Sequence, residues 1–85
     1  MHDTHLIEKI YQSIVTLCKQ NSIVKINEIN IEVDEGSHID GPHLLSHLKD
    51  RDSEMFGDWT VINVERKPYA KLTAVIKSID GDGCE

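Results

Sequence analysis

A half-buried β-strand constrains the fold of this chain more than any other feature of its sequence. In the segment INIEV at residues 29–33, apolar and polar side chains alternate, so one face of the strand is apolar and must be covered by other elements. Val24 and Ile26 have the opposite parity. The strand therefore either starts late or carries a β-bulge near Asn27.

Helical spacing of apolar residues between Leu6 and Cys18 predicts a first helix. Asp3 or Thr4 is a suitable N-cap, and we expect the helix to end near Gln20.

A second helix is predicted after the sequence Asp40-Gly41-Pro42, with Pro42 at the first helical position. Leu44, Leu45 and Leu48 form its short apolar face. The run KDRDSE at residues 49–54 is polar throughout and is the least predictable part of the chain.

Two more strands are predicted at residues 59–65 and 71–79, with 66–69 as a connection short enough for an antiparallel hairpin. The element order is then α-β-α-β-β. We predict an α+β fold with a three-stranded mixed sheet, two helices on one of its faces, and a single domain over residues 1–85.

This arrangement predicts a core and an open sheet face. The expected core residues are Leu6, Ile10, Ile14, Leu17, Ile31, Leu44, Leu45, Leu48, Val64 and Ile76. The second face is expected to expose Trp59, Val61, Val75 and Ile79. Exposed apolar residues of this kind indicate a homodimer or a docked partner.

Charge and composition disfavour several classes of function. The chain has 15 acidic and 9 basic residues, a net charge of −6, and no basic cluster, which disfavours binding to nucleic acid or to an anionic membrane. It shows no signal peptide and no membrane-spanning apolar run, so we expect a cytoplasmic protein. Cys18 and Cys84 form neither a disulfide framework nor a zinc site, although a bridge between them stays open.

Chemistry-bearing residues point to metal binding rather than catalysis. No serine has a glycine-flanked elbow and no glycine-rich loop opens a helix, so we do not expect an enzyme. The chain has five histidines, whose neutral imidazoles are common metal ligands: His2, His5, His38, His43 and His47.

The start Met1-His2-Asp3 is the first candidate metal site. The terminal amine, two backbone amide nitrogens and the His2 imidazole can reach one metal, and four planar nitrogens suit Ni²⁺ or Cu²⁺. The alternative is that His2 stands at a frayed end without a role.

His43 and His47 are the second candidate, because side chains four residues apart share one helix face. HLLSH lacks the glutamate of a metalloprotease helix, so hydrolysis is not implied. The alternative is two solvated histidines beside the leucine face. A third group, His38 with Asp40 and His43, begins the same helix, where Asp40 is expected to act as a cap.

A combination of short motifs resembles the hydrogenase nickel-incorporation family (HypA/HybF type). These motifs are MHD at the start, LC near the end of the first helix, INEINIEVDEGS, Pro42 followed by LL, VINVERKP and AVIKSID. The similarity covers most of the chain except residues 49–58.

The resemblance implies a nickel metallochaperone of [NiFe]-hydrogenase or urease maturation. It implies that Met1, His2 and Asp3 bind Ni²⁺, with Asp40 near the metal, and that a GTPase of nickel insertion is a partner.

Two departures from the family pattern matter. Members have a zinc domain with two CxxC pairs, but here Pro68 is followed at once by Tyr69 and the last strand, so we expect no structural Zn²⁺. Asp3 stands where glutamate is usual. The alternative function is a metal-free interaction adaptor, or an oligomerising module, with the same fold.

Overall fold

The computed structural model describes residues 2–83, which form two helices and one three-stranded sheet. The elements are α1 (His2–Gln20), β1 (Ile23–Asp34), α2 (Gly41–Arg51), β2 (Val61–Lys67) and β3 (Ala74–Gly83). The predicted α+β class, the α-β-α-β-β order and the mixed three-stranded sheet are confirmed.

The strand order is β2-β1-β3, with β1 parallel to β2 and antiparallel to β3. The predicted hairpin at residues 66–69 is therefore wrong, because β2 and β3 are not neighbours. The chain instead crosses the end of β1, where the Asp34 N–H donates to the Thr73 carbonyl at 3.2 Å. The central position gives the apolar β1 a neighbour on each side, and this outweighs the usual pairing of consecutive strands.

A β-bulge lies in β1 where the parity of its apolar residues changes. The pairing with β3 shifts register between Ile26 and Glu28, which decides between the two predicted alternatives in favour of a bulge near Asn27. Both Ile26 and Ile29 are fully buried as a result. The extra residue lets one strand direct apolar side chains of opposite parity into the same core.

A second irregularity lies in β3 and was not predicted. Ser78 and Ile76 pair with consecutive residues of β1, which leaves Lys77 between them without a partner in the register. Ile76 and Ile79 consequently both pack against the core. The prediction that Ile79 faces the open side of the sheet is wrong, since it assumed an unbroken period of two.

The ends of α1 differ partly from those predicted. The helix begins at His2, so Asp3 and Thr4 lie inside it and neither is the N-cap. It ends at Gln20 as predicted, and Asn21 donates its backbone N–H to the Leu17 carbonyl at 3.1 Å. Within residues 2–83, no helix is long and apolar enough to cross a membrane.

Both helices and one face of the sheet, here called the inner face, contribute to a single core. Six predicted core residues are buried: Leu6, Ile10, Ile14, Ile31, Leu44 and Leu48. Three others pack against this core while partly exposed: Leu45, Val64 and Ile76. Leu17 is 36% exposed, so its assignment to the core is wrong.

Phe56 is a core residue that the sequence pattern missed, as is Ile39. Phe56 is fully buried, although it lies in the segment between α2 and β2 that has no periodicity. Its position follows from hydrogen bonds of the backbone around it. The Phe56 N–H donates to the Asp52 carbonyl at 3.1 Å, and the Ile26 N–H donates to the Met55 carbonyl at 2.9 Å.

Candidate metal centre

The two histidines of α2 form a pair on its surface. Their Nε2 atoms are 3.1 Å apart and their ring centroids are 4.8 Å apart. His43 is exposed and His47 is half-buried. The prediction that the four-residue spacing brings the two imidazoles together is therefore confirmed.

The start of α2 is held by a cap one turn before the pair. Asp40 is the N-cap, and its Oδ1 accepts a hydrogen bond from the His43 N–H at 2.7 Å, as predicted. Pro42 is the second helical residue rather than the first, because the helix begins at Gly41. Leu44 and Leu48 are fully buried, which fixes the side of α2 that faces the core.

The last turn of α2 is attached to α1. Arg51 donates to both carboxylate oxygens of Glu8 and lies 4.5 Å from the centre of the Tyr11 ring. Hydrogen bonds from Arg51 and then from Gln12 lower the pKa of Glu8, and the hydrogen bond to Glu8 raises the pKa of Arg51. Together with the cap, this contact orients the helix that carries the histidine pair.

The separation of the two Nε2 atoms is compatible with chelation of one metal ion. Two imidazole nitrogens at about 2.0–2.1 Å from a metal, at square-planar to tetrahedral angles, would be about 2.8–3.4 Å apart. The observed 3.1 Å lies in this range. Without metal, the same distance is that of a hydrogen bond in which one ring donates and the other accepts.

Two imidazoles would leave most coordination positions of a metal ion open. Among the described side chains, those of residues 5–83, there is no group of three or more His, Cys, Asp and Glu arranged to hold a metal. His38, Asp40 and His43 therefore do not form a three-ligand site. His38 lines a cleft beside Asp34, and the Asp40 carboxylate serves as the helix cap.

The terminal candidate, Met1 with the side chains of His2 and Asp3, lies outside the described residues. Its binding of Ni²⁺ stays a prediction, as does the proximity of Asp40 to such a metal.

The structure describes the environment of Cys18 but not that of Cys84. Cys18 is a fully buried free thiol, and this burial raises its pKa, which disfavours the thiolate that a metal would need. Cys84 lies outside the described residues.

The outer face of the sheet, opposite the inner face, is largely polar. It is formed by Glu28, Asn30, Glu32, Val61, Asn63, Glu65, Val75, Ser78 and Asp80. Of the apolar residues expected there, Val61 and Val75 are present and are 51% and 37% exposed. Within the strands, the expected apolar face is thus reduced to two valines on different strands.

Trp59 lies before β2 and contacts β1. Its indole Nε1 donates to the Ile26 carbonyl at 2.9 Å, and the Lys25 ammonium lies 4.5 Å from the ring centre. An added Cβ at Gly57 would overlap the indole. Trp59 is 42% exposed, as expected, although it lies just before the first residue of β2 rather than within a strand.

Asp34 is a functional candidate that sequence reasoning missed. It is the last residue of β1 and only 5% exposed, and its Oδ1 accepts no hydrogen bond from the described residues. In the sequence it is one of several acidic residues after an apolar strand. Its burial arises from the crossing of the chain over the end of β1, and no local pattern signals that crossing.

Comparison with known proteins adds no relative: no family model, no curated protein and no solved structure matches this chain.

Proposed function

We propose that this chain is a nickel-binding accessory protein that carries Ni²⁺ and transfers it to a nickel enzyme. The observation that best supports the proposal is the histidine pair of α2, with its Nε2 atoms 3.1 Å apart at the surface. Neutral imidazole is a favourable ligand for Ni²⁺. The motifs shared with the hydrogenase nickel-incorporation family support nickel as the cargo.

The proposed role requires a site that both binds and releases. A site with two imidazoles leaves coordination positions for water or for ligands of a receiving protein. The metal can therefore be transferred to that protein without first dissociating from a complete set of ligands. Met1, His2 and Asp3 are proposed as the main Ni²⁺ site by the same resemblance. The histidine pair is then a second, weaker site.

The receiving machinery is proposed from the resemblance alone. It would include a GTPase of nickel insertion and, as the final acceptor, a [NiFe]-hydrogenase or a urease.

Isothermal titration calorimetry with Ni²⁺ on untagged protein tests the proposal. Three variants separate the two sites: His2→Ala, one residue inserted before Met1, and His43→Gln combined with His47→Gln. We expect the first two to abolish the tighter binding step and the third to abolish the weaker one. His38→Gln is the matched control, since it removes an exposed histidine outside both sites.

Proton competition provides a second readout. Metal-binding imidazoles and amines must be deprotonated, so the affinity for Ni²⁺ should fall as the pH is lowered. If all three variants bind Ni²⁺ like wild type, both proposed sites are wrong. If wild-type protein binds no Ni²⁺, the nickel function itself is wrong. The metal-free adaptor then becomes the better function.

A further inference from the structure

The end of β1 holds a carboxylate without a described partner. The Asp34 residue is 5% exposed, and its Oδ1 is buried without a hydrogen bond from the described side chains, those of residues 5–83. Burial of a carboxylate without a donor is costly, and such groups are usually paired. This oxygen therefore indicates a site that a cationic or hydrogen-bonding ligand would complete.

A cleft of about 360 Å³ opens beside this carboxylate, between the start of α1 and the loop that leads into β3. It is here called the Asp34 cleft. Leu6 and Leu72 supply apolar walls, and His38 and Lys71 supply polar groups. Its volume is at the lower end of the range for small-molecule pockets.

Backbone hydrogen bonds hold the walls of the cleft on two sides of Asp34. Its N–H donates to the Thr73 carbonyl at 3.2 Å, and its carbonyl accepts from the Ser37 N–H at 3.1 Å. Leu72 has a φ of 61°, which is uncommon for a bulky residue, and its side chain is 49% exposed. The loop thus presents an exposed leucine at the cleft in a strained conformation.

The lining determines the chemical class of ligand. A carboxylate, an ammonium group and two leucine side chains are complementary to an ammonium, a carboxylate and an apolar side chain. All three features occur together in an apolar α-amino acid. A divalent cation fits less well, because Lys71 would repel it and, of the described His, Cys, Asp and Glu residues, only Asp34 and His38 line the cleft.

We propose that the Asp34 cleft binds a small apolar α-amino acid. The ammonium of the ligand pairs with Asp34, its carboxylate pairs with Lys71, and its side chain packs against Leu6 and Leu72. The inference does not depend on nickel binding, because it uses neither the terminal residues nor the histidine pair.

Titration with L-leucine, followed by two-dimensional ¹⁵N–¹H NMR on the full chain, tests the proposal. We expect saturable shifts of the amides of residues 34–38 and 71–72. Two truncated probes separate the charges: isoamylamine lacks the carboxylate of leucine, and 4-methylpentanoate lacks its ammonium. We expect isoamylamine to bind more weakly than leucine and 4-methylpentanoate not to bind.

Two variants assign the charges of the site. Asp34→Asn keeps the side-chain shape and removes the charge, and should weaken leucine binding by about tenfold or more. Lys71→Met changes an exposed residue and should weaken leucine binding while leaving isoamylamine binding as strong or stronger. Melting followed by circular dichroism establishes that each variant is folded.

The alternative outcomes are distinct. No shifts with leucine up to its solubility limit, or equal binding by wild type and folded Asp34→Asn, would overturn the proposal. Equal affinities for leucine and isoamylamine would overturn the amino-acid class. Saturable binding of Zn²⁺ or Ni²⁺ that depends on Asp34 and His38, without leucine binding, would make the cleft a metal site instead.

Discussion

The inner face of the sheet is aliphatic, whereas the outer face carries a row of hydrogen-bonded amide and carboxylate side chains, here called the outer-face ladder. On the inner face, Ile29 is fully buried and is flanked in the register by Ile62 and Ile79. On the outer face, Asn30 donates to the Ser78 hydroxyl at 2.9 Å and accepts from the Asn63 amide at 2.8 Å. Apolar burial dominates the stability of one face, and exposed hydrogen bonds join the strands on the other.

The contrast also explains why a homodimer through the outer face receives little support. An interface core is depleted in charged residues, but Glu28, Glu65 and Asp80 lie on this face and are exposed. The two valines there are separated by β1. The outer face is suited to solvent, and its ladder keeps the three strands in register.

The largest predicted effect is truncation on the inner face. Ile29→Ala should lower the free energy of unfolding by about 2–5 kcal/mol, because it leaves a cavity in the core. Val61→Ala, at an outer-face residue that is 51% exposed, is the matched control and should change it by about 0.5 kcal/mol or less. Urea denaturation measures both. Equal losses would show that the outer face is buried in solution.

A charge placed on the outer face should lower the free energy of unfolding by less than Ile29→Ala does. Val75 lies opposite Glu32, which is 8% exposed, so Val75→Asp places like charges together and should destabilise by about 1 kcal/mol. Val75→Lys should destabilise less, and added salt should reduce the difference. Sedimentation of both variants tests the homodimer. A shift from dimer to monomer in Val75→Asp would restore that interface, and complete unfolding would mean that Val75 is in the core.

The sequence was sufficient to predict most elements because their signals are local. The periodicity of α1, the Asp40 cap and the bulge near Asn27 all depend on residues close in the chain. The strand order and the inward position of Ile79 depend on contacts between distant segments. The same limit applies to Phe56, which is buried because the backbone around it bonds to Asp52 and Ile26.

The candidate sites likewise differ in whether a local sequence pattern reveals them. His43 and His47 could be paired from their spacing alone, since a helix brings side chains four residues apart together. Asp34 could not be identified in this way, because the loop that buries it comes from residues 68–73. A site assembled by a crossing connection has no sequence period that would reveal it.

At neutral pH, Tyr69→Phe should lower the free energy of unfolding by less than Val75→Asp does. The Tyr69 hydroxyl donates to Glu32 Oε1 at 2.6 Å, and this hydrogen bond is the main cause that raises the pKa of Tyr69 above 10.0. The folded state therefore holds the phenol proton more tightly than the unfolded state. The resulting stabilisation is present below about pH 10 and is lost as the pH rises through the raised pKa.

Thermal melts across this alkaline range test the linkage. Wild type should be more stable than Tyr69→Phe at neutral pH, and the difference should shrink once the tyrosine ionises. A difference that is constant through the alkaline range would mean that the hydrogen bond to Glu32 does not form in solution.

The smallest effect is expected from the outer-face ladder itself. The Asn63 amide donates to Glu28 Oε2 at 2.9 Å and to Asn30 Oδ1 at 2.8 Å, but Asn63 is exposed and water can replace it. Asn63→Ala should therefore lower the free energy of unfolding by about 0.5–1 kcal/mol in urea denaturation. Asn63→Asp keeps the size of the side chain but removes the donor and places a second carboxylate beside Glu28. It should destabilise more than Asn63→Ala at low salt and approach it at high salt. If Asn63→Ala is instead as damaging as Ile29→Ala, the ladder contributes as much stability as the inner face, and the division between the two faces is wrong.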